Sequence, residues 1–565
     1  MPTSLPDNWW ATAVIYQLYV RSFADDDGDG KGDLAGIRHR LDHIAELGVD
    51  AIWLNPCYPS PQRDHGYDVA DYFGIEPDYG DLEEFDRLVA DAAARGIRIV
   101  MDVVPNHCSS EHPWFVAAVE AGRGSAERER FWFRDGRGPD GSEPPNNWQA
   151  IFGGSAWTRV LEPDGSPGQW YLGVFTPHQP DFNWNNPEVA DHFDEMLGFW
   201  FDRGVEGFRA DAVTVLGKVD GLPDSDEPPE WGRPDPLFLY HEDGHRAWER
   251  WRRTVDDYNL QHPERDVFLI AEAYTPERPD VFATYVSPSE FHQSFYFDLL
   301  LSPWQAGAYR DAITAVLDLL LPRGLAPAWT LNNHDAERSV TRFGRADATA
   351  DRDITQGNLV YRDGHVDVGL GQHRATAAAM MILALPGSVY LYMGEELGLP
   401  EVLDLPDDVR EDPVFLSTDG ERRGRDGCRV PLPWTVSAEG SHGFSPAGSD
   451  DPWLPQPDGW GQFSAEADGP VHQAYRRALE VRRASPDVRS GVFRWVEAGG
   501  DTVAFERGGL VVVLNMGEES MTLEEGMVAG RRTVLSSALD PSPSEESSDQ
   551  TVMVPGNTCV WLAGP

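Results

Sequence analysis

From residue 14 to about 485, short apolar runs alternate with longer segments whose apolar residues recur every three or four positions. The short runs read as buried strands. Val14–Val20 and Ala51–Leu54 are rich in β-formers and bounded by Gly, Pro or Asp. Between them Ile37, Leu41, Ile44 and Leu47 keep helical spacing, and Gly48 supplies a C-terminal cap. Asp81 and Glu84 form a capping box for a helix that buries Phe85, Leu88 and Val89 and stops at Gly96. Further strands are predicted at Ile97–Val104, Val205–Ala210, Val267–Ala271, Phe295–Phe297, Ala328–Leu331 and Ser388–Met393. Eight strands with helices between them predict an α/β fold, a (β/α)8 TIM barrel. The alternative is a doubly wound open sheet, but no Gly-rich phosphate loop follows the first strand.

The rhythm breaks between about 108 and 182, a long stretch rich in Gly, Pro and Trp after the third strand. A loop of that length reads as functional or as a small inserted domain. After a last helix near Val471–Arg483 the pattern turns to short strands: Gly491–Val496, Thr502–Glu506, Leu510–Asn515 and Thr558–Leu562. The expected organisation is a barrel from 1–107 and 183–486, an inserted domain at 108–182, and a C-terminal all-β sandwich domain at 487–565. Residues 540–550, Ser- and acid-rich, read as a flexible loop.

Composition narrows the partners. A net charge of −48 argues against nucleic acid or an anionic membrane, whose phosphates would be repelled. Lys31 and Lys218 are the only lysines, so Arg supplies the other cations. Such a composition follows from a GC-rich genome or from solvation at high salt. The longest apolar run, Ala375 to Pro386, falls short of the roughly 20 residues a membrane span needs. Met1 to Trp10 lacks the basic and apolar regions of a signal peptide. Cys57, Cys108, Cys428 and Cys559 show no paired spacing and read as free thiols. A cytoplasmic protein is expected.

Four stretches at strand ends carry chemistry: Asp102-Val-Val-Pro-Asn-His107, Gly207-Phe-Arg-Ala-Asp211, Ala271-Glu272-Ala273 and Asn332-Asn-His-Asp335. Three of them bring a carboxylate (Asp211, Glu272, Asp335) to one end of a barrel. Glycosidic bonds break through a cationic transition state, and two carboxyl groups about 5–5.5 Å apart suffice for retention through a covalent intermediate. The acid must keep its proton, which burial and nearby negative charge promote; the nucleophile must stay ionised. Arg209, two residues before Asp211, points to the same face of a strand and suits that second need.

In this order the four stretches resemble the alpha-amylase family of glycoside hydrolases. The resemblance implies that Asp211 is the nucleophile, Glu272 the general acid/base, and Asp335 the carboxylate that grips two sugar hydroxyls. It makes Arg209, His107 and His334 partners of the nucleophile or the innermost sugar, and Asp102 a structural acid. Ala271 stands where the family often has Gly. Asp64-His-Gly-Tyr-Asp68 is similar to a segment of the family's oligosaccharide-cleaving branch, with His65 in place of Asn. That match implies that Asp64 holds the terminal glucose 4-hydroxyl and closes the site into a pocket, and that Tyr67 stacks on the ring. It places Phe152 and Phe175 as aromatic walls, a local core being the other reading, and makes Arg338 a substrate-contacting arginine. The stretch from Gly424 to Trp434 resembles a loop of alpha-glucosidases. Val after the nucleophile accompanies α-1,6 cleavage in this branch; here Ala212 implies α-1,4 cleavage.

Asp25, Asp27, Asp29 and Asp33 alternate with glycines and Lys31, a spacing that suits a hard cation with oxygen ligands; a solvated acidic turn is the plain alternative. Position twelve of the loop is Gly36 rather than the Glu of an EF-hand. The family resemblance implies a structural Ca²⁺ or Mg²⁺ held by Asp25, Asp27, Asp29, the Lys31 carbonyl and Asp33, and no organic cofactor. The expected activity is a retaining α-glucosidase acting on maltose and short malto-oligosaccharides, with some transfer to other acceptors. Alternatives on the same site are an oligo-1,6-glucosidase, a maltose/trehalose isomerase, a sucrose-active relative and, more distantly, a trehalose-6-phosphate hydrolase. A non-catalytic sugar-binding or transporter-associated homologue is the alternative of another class. Oligomeric state is not legible.

Overall fold

The computed structural model describes residue 5 and residues 7–226, 237–349, 364–490, 492–539 and 552–564. Eight strands form one parallel sheet: β1 Val14–Leu18, β2 Ala51–Leu54, β3 Arg98–Val103, β4 Val205–Ala210, β5 Phe268–Ala271, β6 Gln293–Ser294, β7 Ala328–Thr330 and β8 Ser388–Tyr392. They pair in the spatial order β7-β8-β1-β2-β3-β4-β5-β6. A parallel bridge from Phe295 to Ala328 joins the β6 end to β7 and brings the sheet round to a nearly closed barrel. The strands read as unbroken apolar runs because both faces are covered. Inside, Ile15, Trp53, Val100, Ile270, Phe295 and Tyr390 pack together; Trp53 stacks on Phe295 at 5.6 Å. Outside, the helices Leu82–Ala94, Pro187–Asp202 and Val368–Leu383 supply buried side chains such as Phe85, Trp200 and Met381 to a second, continuous core.

Two local expectations needed correction. The sixth strand is Gln293–Ser294, and Phe297 begins a helix to Leu301. The aromatic run Phe295–Phe297 has no alternation of apolar and polar residues to locate a strand within it. The helical pattern from Ile37 to Leu47 is two helices, Leu34–His39 and Leu41–Leu47, hinged at Arg40 (φ −105, ψ 7). Gly48 follows at φ 91, a left-handed cap. Asp81 accepts a hydrogen bond from the Glu84 amide, as a capping residue does.

Between β3 and β4 the chain forms the helix Pro113–Ala121 and a three-stranded antiparallel sheet of Phe133–Arg134, Pro167–Leu172 and Trp157–Leu161. The Lys218–Asp181 ion pair (2.9 Å), fully buried, pins its exit to the loop after β4. Beyond the helix Pro470–Ala484, the strands Phe493–Trp495, Thr502–Arg507, Leu510–Asn515, Thr558–Ala563 and Arg532–Ser536 make an antiparallel sheet in that spatial order. One of its faces (Val511, Val513, Val560) packs on Leu523, Val528 and Val554 from a smaller ribbon and its connection. Trp304 and Trp561 bind the two parts by donating to the carbonyls of Met516 and Met380. The residues 540–550, expected as a loop, lie outside the described residues.

Candidate active site

Strand register sets the two central carboxylates side by side. Asp102 lies opposite Arg209 across β3 and β4, and Ala210 opposite Ala271 across β4 and β5. The ladder runs one step further: the Asp211 amide donates to Val103 O (2.8 Å), and the Glu272 amide to Ala210 O (2.9 Å). Asp211 and Glu272 therefore leave neighbouring strands at one level. The Arg209 guanidinium, 2% exposed, touches all three acids: Asp102 at 2.8 Å, Asp211 at 2.7 Å and Glu272 at 2.8 Å. Glu272 also hydrogen-bonds Asp211 and accepts from the Ala212 amide at 2.9 Å.

Three carboxyl groups around one cation cannot all ionise at ordinary cost. Burial pushes Asp211 well above the usual carboxylate range, with Arg209 opposing and the charges of Glu272 and Asp102 adding. Burial likewise raises Glu272; Arg209 opposes and Asp335 adds. Asp102 is pushed up to about 7, chiefly by burial. The set thus keeps a proton above the ordinary range. Asp335 behaves oppositely: burial alone would raise it, but His334, Arg425 and Arg429 together hold it well below the usual range. His334 lies 3.2 Å from it, Arg425 3.0 Å and Arg429 2.8 Å. One acid is tuned to stay ionised while its neighbours hold a proton.

Arg425 also reaches Asp64 (2.9 Å) and Asp412 (2.6 Å), tying the loop after β2 to the loop after β8 across the mouth of the site. Gln179, 0% exposed, donates to the other Asp64 oxygen at 3.0 Å. His107 donates to the Tyr67 carbonyl (3.0 Å), and burial lowers its pKa to about 3, so it is neutral. Phe175 packs on His107 at 4.8 Å, Phe152 on Phe175 at 5.7 Å, and the Arg425 guanidinium lies 5.1 Å over Phe152. Both aromatics thus meet the site's polar residues. Ala212 sits at φ 45, a left-handed turn that carries the chain from β4 over the Glu272 carboxylate.

Two expectations change. Arg338 is 2% exposed, and its guanidinium is spent on the carbonyls of Met393 (2.8 Å) and Cys428 (2.9 Å). It braces the backbone, and the arginines that meet Asp335 are Arg425 and Arg429. The signal for them was present in Gly424-Arg-Asp-Gly-Cys-Arg429, a loop placed by resemblance without naming its cations. Tyr67 has one ring face covered by His334 (centroids 5.4 Å, 3° between planes) and its hydroxyl bonded to Asp102 and Asn55. A sugar can use at most the other face. His65, at φ 50, receives Arg21 at 3.1 Å and packs against Trp453, a contact no local pattern announced.

In the first loop, oxygens of Asp25, Asp27 and Asp29 lie within 4.8 Å of one another. Asp33 does not join them: its carboxylate caps the helix Leu34–His39, accepting from the Gly36 (2.6 Å) and Asp26 (2.8 Å) amides. Gly36 replaces a ligand for steric cause, since a β-carbon there would meet the Ala24 carbonyl oxygen at 2.1 Å. Lys31 pairs with Asp78 and stands 3.8 Å from Asp29.

A carboxyl pair at adjacent strand ends, one guanidinium between them and a third acid held by two arginines, on a (β/α)8 barrel, define a glycoside hydrolase. The chain belongs to the alpha-amylase family: the model of the alpha amylase catalytic domain matches residues 17–491. A probable alpha-glucosidase of Rhizobium meliloti is 35% identical over 92% of this chain and 91% of its own. An oligo-1,6-glucosidase of Parageobacillus thermoglucosidasius is 32% identical over 86% of this chain and 85% of its own. The solved trehalulose synthase of Pseudomonas mesoacidophila aligns with a TM-score of 0.82 at 28% identity, covering 99% of this chain and 100% of the other. Among the described residues no helix is long and apolar enough to cross a membrane.

Proposed function

We propose that the protein is a retaining α-glucosidase that releases glucose from the non-reducing ends of maltose and short α-1,4 malto-oligosaccharides. The observation that carries this reading is Arg425, which joins Asp64 to Asp335 and closes one end of the site. A closed end admits a single terminal glucose and leaves the rest of the substrate outside. Asp211 attacks the anomeric carbon while Glu272 gives its proton to the leaving oxygen, forming a glucosyl ester on Asp211. Glu272, now ionised, takes a proton from water, whose oxygen displaces Asp211 and restores both carboxyl groups. Arg209 bridges Asp211 (2.7 Å) and Glu272 (2.8 Å) across adjacent strand ends, a short separation that suits retention. Asp335, kept ionised, grips sugar hydroxyls in the distorted ring.

Sugars that outcompete water at the ester give transfer products. Ala212 supports α-1,4 preference, its small side chain leaving space beside the nucleophile. Time-resolved proton NMR with maltose tests the reading. Early α-glucose, mutarotating later, is expected; accumulating trehalose would make the enzyme an isomerase, and turnover of isomaltose or sucrose alone would overturn the Ala212 reading.

The first loop is read as a structural divalent-cation site. Its all-oxygen, hard donor set from Asp25, Asp27 and Asp29 fits Ca²⁺, and the Lys31 carbonyl is the further ligand that the family resemblance implies. Such an ion would offset the mutual repulsion of the three acids and brace the loop that precedes the helix Leu34–His39.

A further inference from the structure

One polar side chain interrupts the apolar run of β1. Gln17 is 1% exposed and lies between buried Tyr16 and Leu18. Ile15, two residues earlier, packs inside the barrel, so Gln17 shares that inward face near the strand's C-terminal end. Asn55, also buried, stands one step past β2 and two residues after the interior Trp53. Buried amides must find their hydrogen bonds among their neighbours. Here the neighbours form a closed ring. The Gln17 amide nitrogen lies 3.0 Å from Asn55 Oδ1 and 2.7 Å from His334 Nδ1. Asn55 Nδ2 lies 2.8 Å from the Tyr67 hydroxyl, which is 2.9 Å from Asp102 Oδ2 and 2.8 Å from His334 Nε2.

Counting protons around this ring leaves one arrangement. The Tyr67 hydroxyl has one proton to give and accepts through its lone pairs. Asp102, whose other oxygen accepts from Arg209 at 2.8 Å, takes that proton. Asn55 and His334 must then both donate to the hydroxyl, Asn55 through its amide nitrogen and His334 through Nε2–H. The Asn55 oxygen is thereby turned toward Gln17, whose two amide protons serve Asn55 Oδ1 and His334 Nδ1. Turning both amides over would set three acceptors (Asn55 Oδ1, Asp102 and a bare His334 Nε2) around a single hydroxyl proton. It would also aim the bare Nε2 lone pair at Asp335 Oδ2, 3.2 Å away. Burial, opposed by Asp335 and joined by Arg429 and Arg209, keeps the imidazole neutral, so which nitrogen holds its one proton matters.

We infer that Gln17 is a positioning residue that fixes His334 as the Nε2–H tautomer and so aims an N–H at the Asp335 carboxylate. The inference rests on the reading of Asp335 as the carboxylate that grips sugar hydroxyls. A hydroxyl that donates to Asp335 can then accept from His334 Nε2–H; the other tautomer would offer it a second acceptor instead. Gln17 acts on the sugar only through His334.

Neutron diffraction from deuterium-exchanged crystals locates the His334 deuteron without reference to any substrate. It should lie on Nε2, with the Gln17 amide deuterons directed at Asn55 Oδ1 and His334 Nδ1. Gln17→Met keeps the shape of the side chain and removes the donor. With the fold verified by circular dichroism, it should lower kcat/KM on maltose and on an aryl α-glucoside about tenfold. In an H334A background the same change should cost less than about twofold, because its effect passes through His334. A deuteron on Nδ1 in the parent would overturn the inference. So would a Gln17→Met cost that is the same with and without His334, the mark of a merely structural role. A parent inactive on both substrates would refute the α-glucosidase reading alone, since the neutron map still decides the tautomer.

Discussion

Replacing Arg425 with methionine would remove one cation from three carboxylates at once, Asp64 and Asp412 buried and Asp335 partly exposed. The guanidinium is 2.9 Å from Asp64, 3.0 Å from Asp335 and 2.6 Å from Asp412, and its side chain is only 9% exposed. Removing one partner of a buried pair costs about 3–5 kcal/mol, because the other charge stays buried and uncompensated. Asp335 keeps Arg429 and His334, and Asp412 keeps Arg429 at 3.7 Å and the Val414 amide, whereas Asp64 is left with Gln179. The loss therefore concentrates on Asp64. If about 3 kcal/mol of it appears in transition-state binding, kcat/KM on maltose falls about 10²-fold. Burial already raises the Asp64 pKa and Arg425 opposes that rise. Without the arginine the acid form persists to higher pH, so the acid limb of kcat/KM should shift upward. Circular dichroism would verify the fold, since the cost lies within an ordinary stability of about 5–15 kcal/mol. The double variant with Asp64→Asn isolates the pair, with an expected coupling of about 0.5–3 kcal/mol. A kcat/KM within threefold of the parent, or strict additivity in the cycle, would refute the reasoning.

Asp211→Asn should lower kcat by about 10³-fold or more while maltose still binds, measured by single-turnover kinetics and calorimetry. Because the Asp211–Glu272 pair holds its proton above the ordinary range, kcat/KM should fall on the alkaline side as that proton is lost. Glu272→Gln should remove this limb with an aryl glucoside whose leaving group needs no protonation; an unchanged limb would move the acid role elsewhere. Lys218→Met strands the buried Asp181 and should destabilise the fold by about 3–5 kcal/mol in urea titration, with Asp181→Leu in the same chain recovering much of it. Chelation should lower the thermal midpoint and Ca²⁺ restore it, by about 2.7 kcal/mol at a hundredfold excess over Kd. Asp27→Asn should erase that difference; insensitivity to chelator and Ca²⁺ in the parent would remove the cation site.

Much of the site was legible because the barrel turns a one-dimensional pattern into position. An apolar run with a polar residue at its end becomes a strand whose last side chain lies at the mouth. Residues two apart, such as Arg209 and Asp211, share a face whatever surrounds them. Caps at Asp81 and Gly48 depend on a few neighbouring residues, so they too could be read locally. Contacts between distant loops carry no such local signature. Asp64 and Arg425 are 361 residues apart, and nothing near either one announces their pairing. Arg338 carried a motif-like spacing, yet packing buried it against carbonyls and handed its expected place to Arg425 and Arg429. Asp33 could serve a cation or a helix start, and the fold of the loop chose the helix. The strand ends follow from local periodicity, and the chemistry expected at them follows from the resemblance of the four stretches. Which cation neutralises which acid follows from how the β1, β2 and β8 loops pack, a choice made by burial and the energy of unpaired charge.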